Sequence, residues 1–335
     1  MKLLVSWMTE LRGYVTREYY YVMQHLMSEH SWQQIRPSDL AEHADRAGEW
    51  LQAVFGELPT VVIFWETWEL IHSVYSHLRS AGCRTVFFAD DLQTWPDSEV
   101  SRDAKLRTLS LCDAVLATYA YVFDVFYPEL QDKPVAWVPH SASPDFSLSF
   151  NDRPENAVLL SGCLGEIYPL RMRMKDLSKR MSSVVHNQHP GYGEFYDYET
   201  DSRVGSGYAG LIGRFKAAFT DASNFRYIVA KYFEIPSTGS LLVADEAVCE
   251  PLRDLGFFEN MHYVPVNLDN LEERIEFVLN PAHSIEIDAI RRRGQELVKT
   301  AHTTRHRAAL IDQACCGNFS SAAFNSFQPV AAGRA

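Results

Sequence analysis

Short, uninterrupted apolar runs separated by longer amphipathic stretches occur in two successive series along the chain. That double alternation restricts the fold more than any single motif does. In the first half Leu3–Trp7, Thr60–Trp65, Thr85–Ala89, Ala114–Thr118 and Val135–Val138 read as strands. Helical patterns lie between them; Tyr19, Val22, Met23 and Leu26, for example, follow i, i+3, i+4, i+7 spacing. Strands apolar on both faces and alternating with helices form a parallel sheet covered on both sides. Ser143–Glu155 (SPDFSLSFNDRPE) is polar, carries two prolines and breaks the rhythm, so it reads as a linker. The pattern restarts with strands at Ala157–Ser161, Ser183–His186, Ala217–Thr220, Ser240–Ala244 and His262–Pro265. Helices are expected at Leu170–Met181 and near 225–236, 246–255, 269–279, 284–299 and 303–315.

The expected class is therefore α/β, with two Rossmann-like domains whose parallel sheets face each other across a cleft. The first domain covers residues 1–145 and the second 146–300; a helix follows at 301–316, and 317–335, rich in Ser, Ala, Gly and Asn, reads as a loose tail. A length of 335 residues suits two such units. Ligands of these sheets sit beyond the carboxyl ends of the strands.

Composition excludes several classes. No run of apolar residues is long enough to span a bilayer, and the apolar start is too short for a signal-peptide core. The six cysteines show no C-x-x-C pair and no framework spacing, which points to a reducing compartment and a cytoplasmic protein. Net charge is −12, the wrong sign for a chain that holds nucleic acid through many phosphates. One small anionic ligand is still compatible, because it needs only a few placed cations.

The richest stretch for chemistry is 221–245, DASNFRYIVAKYFEIPSTGSLLVAD. Asp221, Ser223 and Asn224 offer caps for a helix carrying Tyr227, Ala230, Phe233 and Glu234, and a helix start at a strand end is an anion site. On this reading Glu234 lies two turns in, Pro236 bends the chain, and Thr238 and Gly239 close the turn. A carboxylate there suits the vicinal hydroxyls of a ribose; a surface glutamate at a helix end is the equally weighted alternative. Arg171, Arg214, Lys216, Arg226 and Lys231 lie near predicted strand ends or helix starts and could meet a diphosphate. His186–Tyr192 (HNQHPGY), with His189 and Tyr192, is a turn-rich aromatic loop able to stack on a base or sugar. Its H-x-x-H has no third ligand at zinc spacing, so no metal site is expected. Gly205–Gly210 (GSGYAG) matches G-x-G-x-x-G, but no buried strand precedes it, so it reads as a flexible loop. In the first half Trp65-Glu66, Asp90-Asp91 and Pro139-His140 fall at strand ends. Asp90, Asp91 and His140 are the candidates for a general base, with a turn or helix cap the competing reading for Asp90-Asp91.

FEIPSTGSLLV over 233–243 resembles the donor-binding segment of GT-B glycosyltransferases, more closely that of the bacterial and viral group related to spore-maturation glycosyltransferases. WVPHSASPDF over 137–146 is similar to the crossover that closes the family's N-terminal domain. Ala157–Pro169, with Ser161-Gly162, resembles the first strand and loop of its C-terminal domain, and AHTTRHRA over 301–308 its late H-T-x-x-H-R helix. The resemblance covers 135–315 and implies that Glu234 binds the donor ribose and that Gly162 allows close backbone approach. Arg226 stands where the family places the first glutamate of its E-x7-E motif, so no glutamate contact to the sugar carries over. The implied activity is transfer of a sugar from a nucleoside-diphosphate donor, a UDP- or GDP-sugar, to a hydroxyl on a glycan, protein or small molecule, and the absence of any D-x-D triplet from the sequence favours metal-independent transfer. No cofactor is expected. Competing readings are a sugar-nucleotide epimerase, a catalytically silent nucleotide-sugar- or protein-binding module, and an enzyme glucosylating modified DNA bases, which the acidic charge opposes.

Overall fold

The computed structural model describes residues 1–7, 14–191 and 195–317. Within them the chain divides into two compact units. One comprises residues 1–7, 22–139 and 307–317, the other residues 14–21, 140–191 and 195–306.

The first unit is built on a six-stranded parallel sheet in the order β2-β1-β3-β4-β5-β6. The strands are β1 Lys2–Val5, β2 Trp32–Ile35, β3 Val61–Trp65, β4 Arg84–Ala89, β5 Ala114–Ala117 and β6 Val135–Trp137. Helices α1 Glu18–His30, α2 Pro37–Ala41, α3 Ala47–Phe55, α4 Leu70–Ser80, α5 Arg102–Leu111 and α6 Phe123–Phe126 connect them. β3 is buried along its whole length, as a central strand covered on both faces requires. β2 escapes the apolar-run criterion because it is an edge strand: Trp32 and Ile35 are buried, while Gln33 and Gln34 are not.

The second unit has a five-stranded parallel sheet in the order β11-β10-β9-β7-β8. Its strands are β7 Glu155–Ser161, β8 Val184–Asn187, β9 Phe215–Thr220, β10 Leu241–Asp245 and β11 Val264–Val266. Its helices are α7 Pro169–Ser178, α8 Gly205–Arg214, α9 Lys231–Ser237, α10 Cys249–Asp254, α11 Leu271–Leu279 and α12 Ser284–Ala301; α13 Thr304–Cys316 then carries the chain back to the first unit. There Asp312 accepts hydrogen bonds from Lys2 Nζ at 2.5 Å and Trp32 Nε1 at 2.8 Å. Val158, Leu160, Phe219, Val243, Ile275 and Ile290 belong to the second unit's core.

Two local expectations are corrected. The helix expected over 225–236 begins only at Lys231: Ser223 and Arg226 have φ of 59°, which breaks a helical run. Gly205–Gly210 is not a loop but the first part of α8. A Cβ on Gly207 would lie 2.5 Å from the Cα of Ser202, so this glycine answers to packing rather than to a phosphate. The segment read as a linker, Ser143–Glu155, is packed within the second unit: Phe146 is fully buried, and Phe150 lies under Arg291 and Arg292 at 4.5 and 3.9 Å.

All six cysteines are free thiols. Among the described residues no helix is long and apolar enough to cross a membrane.

Candidate active site

Polar groups of the second unit gather at the carboxyl ends of β7 and β9. β7 runs out into Gly162, which has φ of 113°. A Cβ there would stand 3.1 Å from Arg171 Nη1 and 3.2 Å from Lys231 Cε, so only glycine leaves room for two cations to converge. Arg171, on the first turn of α7, is 3% exposed. Its Nη1 donates to the Cys163 carbonyl at 3.0 Å, its Nη2 to Thr220 Oγ1 at 3.3 Å, and its Nε lies 3.2 Å from Asp221 Oδ1. Asp221 also accepts the Arg171 backbone N–H at 3.0 Å. Burial pushes the Asp221 carboxyl up to about 6 although Arg171 opposes the shift.

Lys231 and Glu234 share the first turn of α9. Because the helix starts at Lys231, both side chains sit at its amino end rather than two turns in. Burial drives the Lys231 ammonium well below its usual range, with Glu234 holding it up and Arg171 pushing the same way as burial. Burial raises the Glu234 carboxyl, and Lys231 opposes that. Glu234 is 1% exposed; the Thr16 hydroxyl lies near its carboxyl, but its Oε2 makes no hydrogen bond among the described residues. A buried acceptor left unmatched costs stability, and a polar ligand would relieve it.

His189, beyond β8, belongs to the same group. Burial first, then Lys231 and Arg171, push its imidazole down to about 4. Its Nδ1 accepts the Gly191 N–H at 3.0 Å, so the neutral ring carries its proton on Nε2. The arrangement is a floor of two buried cations, each beside a carboxylate, with one neutral N–H donor and one unmatched carboxylate oxygen. Such a floor suits a ligand that is anionic at one end and hydroxylated at the other.

Residues 173–313 match a family described as glycosyl transferase-like. Three solved structures share the fold at low identity. HepE from Anabaena, in complex with UDP and glucose, gives a TM-score of 0.60 at 9% identity, over 93% of this chain and 98% of that one. A glycosyltransferase from Rickettsia africae gives 0.57 at 10%, over 95% and 98%. A UDP-N-acetylglucosamine 2-epimerase from Listeria monocytogenes, itself described as putative, gives 0.50 at 9%, over 94% and 95%. No curated protein matches the sequence. The chain has the GT-B glycosyltransferase fold. The resemblance drawn from residues 135–315 is thus borne out at the level of the fold.

Within this GT-B chain the other expected donor residues are dispersed. Arg214 ends α8, paired with Glu155 at 2.8 Å, and Lys216 is the second residue of β9, where Asp288 and Arg291 are its charged neighbours. Four rises along the strand, about 13 Å, separate Lys216 from Thr220, so it lies at the wrong end of the sheet for the group around Gly162. Arg226 turns its guanidinium to the Ala247 carbonyl, with Nη2 at 2.8 Å. Tyr227 is 3% exposed and packs near Phe225. Thr238 donates to the Ile235 carbonyl at 2.7 Å and Gly239 closes α9, so both serve the helix end. Tyr192 lies outside the described residues.

Asp90 and Asp91 sit beyond β4 in the first unit, whereas His140 belongs to the second. The Asp90 N–H donates to Glu66 Oε1 at 2.6 Å and Trp68 Nε1 to Glu66 Oε2 at 3.0 Å. Lys105 Nζ donates to the Asp91 carbonyl at 2.7 Å. Glu66, named at a strand end but not among the candidates for a general base, is pushed up to about 8 by burial and then by Asp90. His140 meets Glu18, 122 residues earlier, a pairing no local pattern announces.

Proposed function

We propose that the chain is a glycosyltransferase that transfers a sugar from a nucleoside-diphosphate sugar to a hydroxyl acceptor and grips the donor on its second unit. Glu234 takes the ribose hydroxyls through the buried, unmatched Oε2, the observation that carries this reading. Arg171 and Lys231, converging over Gly162, face the diphosphate, and His189 adds a neutral Nε2–H donor. The two cations stabilise charge that grows on the diphosphate as the glycosidic bond to phosphate breaks, and on this reading they do so without a metal ion. The UDP and glucose bound in HepE support a uridine nucleotide with a hexose as the first donor to try. The acceptor is a glycan, protein or small-molecule hydroxyl, and the reaction runs in the cytoplasm.

The test is a thermal-shift screen of UDP-, GDP-, ADP- and dTDP-glucose, followed by assay of nucleoside-diphosphate release with any donor that binds. Stabilisation by none of them removes the donor site. Binding without turnover favours the silent module, and conversion of one sugar nucleotide into another favours an epimerase.

A further inference from the structure

A buried cluster beside the donor group carries acid–base chemistry that those contacts do not use. Glu18, on the first turn of α1, is 5% exposed and its carboxylate receives three donors. His140 Nδ1 lies 2.7 Å from Oε2, Ser141 Oγ donates to Oε1 at 2.9 Å, and the Ser141 backbone N–H donates to the same oxygen. Tyr19, also on α1, stacks on the imidazole with centroids 5.8 Å apart and planes at 20°. From α9 the charged neighbour is Glu234, whose carboxyl feels both Glu18 and His140. One residue before Glu18, Arg17 is neutralised elsewhere: it grips Asp145 through Nε and Nη2 and Glu199 through Nη1, while the Tyr21 hydroxyl adds a further donor to Asp145.

A carboxylate fixed by two Ser141 donors cannot swing away, so it dictates both the orientation and the charge of the ring bonded to it. A carboxylate on Nδ1 favours the imidazolium and leaves Nε2–H as the ring's second donor. We propose that Glu18 is a positioning residue that keeps His140 protonated at the donor site, and that His140 donates a hydrogen bond from Nε2 to the diphosphate oxygen that gains charge in transfer. This rests on the donor reading above. In that step the bond between the anomeric carbon and the diphosphate oxygen breaks, with both electrons passing to that oxygen. The acceptor oxygen bonds to the anomeric carbon and its proton is released to solvent. His140 keeps its own proton throughout, so the role holds whichever anomer is formed.

The experiment uses the full chain and whichever of the four nucleotide-glucose donors stabilises it. Nucleoside-diphosphate release, with water as acceptor, is followed from about pH 5.5 to about pH 9.5, a range that brackets an imidazolium titration. For wild type, kcat falls on the alkaline side as His140 loses its proton. Glu18→Gln lowers kcat at neutral pH by roughly 10- to 100-fold, with a smaller change in KM, and its alkaline limb moves to lower pH; Glu18→Asp restores part of both. An alkaline limb at the same pH in Glu18→Gln as in wild type overturns the proposal, as does His140→Gln with wild-type kcat. If Glu18→Gln does not fold, the His140→Gln measurement decides. A wild-type chain that binds none of the four donors is a different result: it removes the donor reading and this proposal with it. Bound and hydrolysed donor with unaltered variants removes the proposal alone.

Discussion

Lys231 and Glu234, one helical turn apart at the start of α9, form a buried pair in which each opposes the other's drift toward neutrality. The pair is incomplete within the protein, because Glu234 Oε2 finds no donor among the described residues. A ligand with a diphosphate and vicinal hydroxyls completes both halves. Glu234→Ala is therefore expected to weaken nucleoside-diphosphate binding by roughly 10- to 100-fold, the loss of one or two hydrogen bonds to a charged acceptor. Calorimetric titration with UDP checks it, with circular dichroism confirming the fold. Unchanged affinity in a folded variant would end the ribose assignment.

Gly162 is where the two cations meet, and its φ of 113° excludes an ordinary side chain. Gly162→Ala combines backbone strain of about 1–3 kcal/mol with a methyl group pressed against Arg171 Nη1 and the Lys231 stem. The Lys231 stem can yield, but Arg171 is pinned by Cys163, Thr220 and Asp221. The expected outcome is a lower melting temperature together with a larger loss of nucleotide affinity than stability alone explains. A variant that melts lower yet binds UDP as wild type does would mean the cations need not converge there.

Central strands were legible because burial on both faces imposes a continuous apolar run, as at β3 and β10. The edge strand β2 was not, because half of it faces away from the core. Nearness to a predicted strand end grouped Lys216 with Lys231, although Lys216 precedes the run Ala217–Thr220 and so marks the strand's amino end. Asp221 reads in the sequence as a helix cap but is the ion-pair partner of Arg171, because the chain from 221 to 230 does not enter a helix. Glu18 gave no local signal: its partners His140 and Ser141 come from the far side of the β6 connection, and only the folded chain brings them together.

His189 should behave unlike a surface histidine. Its proton affinity is depressed to about 4 by burial and by the cations Lys231 and Arg171, and the Gly191 N–H occupies Nδ1. Nitrogen NMR of the imidazole is expected to show one neutral tautomer, protonated on Nε2, with no titration between about pH 5.5 and pH 8. In Lys231→Met the ring should take up a proton at higher pH than in wild type, since one of the charges that repel it is gone. A His189 titrating near the ordinary histidine value in wild type would place it outside the cationic group.

Glu66 makes a prediction about the first unit alone. Burial, reinforced by Asp90, raises its carboxyl from the usual range to about 8, so the folded chain holds this proton more tightly than the unfolded chain does. Between about pH 4.5, where the unfolded side chain ionises, and pH 8, the folded state alone keeps the proton, and stability must fall as pH rises. Below that window the stabilisation is complete; above it both states are ionised and the dependence flattens. Glu66→Gln removes the titration while retaining an oxygen that can accept the Asp90 N–H. Urea midpoints for wild type and variant, followed across the window, should therefore diverge, with wild type losing ground steadily toward alkaline pH. Parallel profiles would show that Glu66 is already ionised in the folded protein, held by the Asp90 and Trp68 donors against its burial.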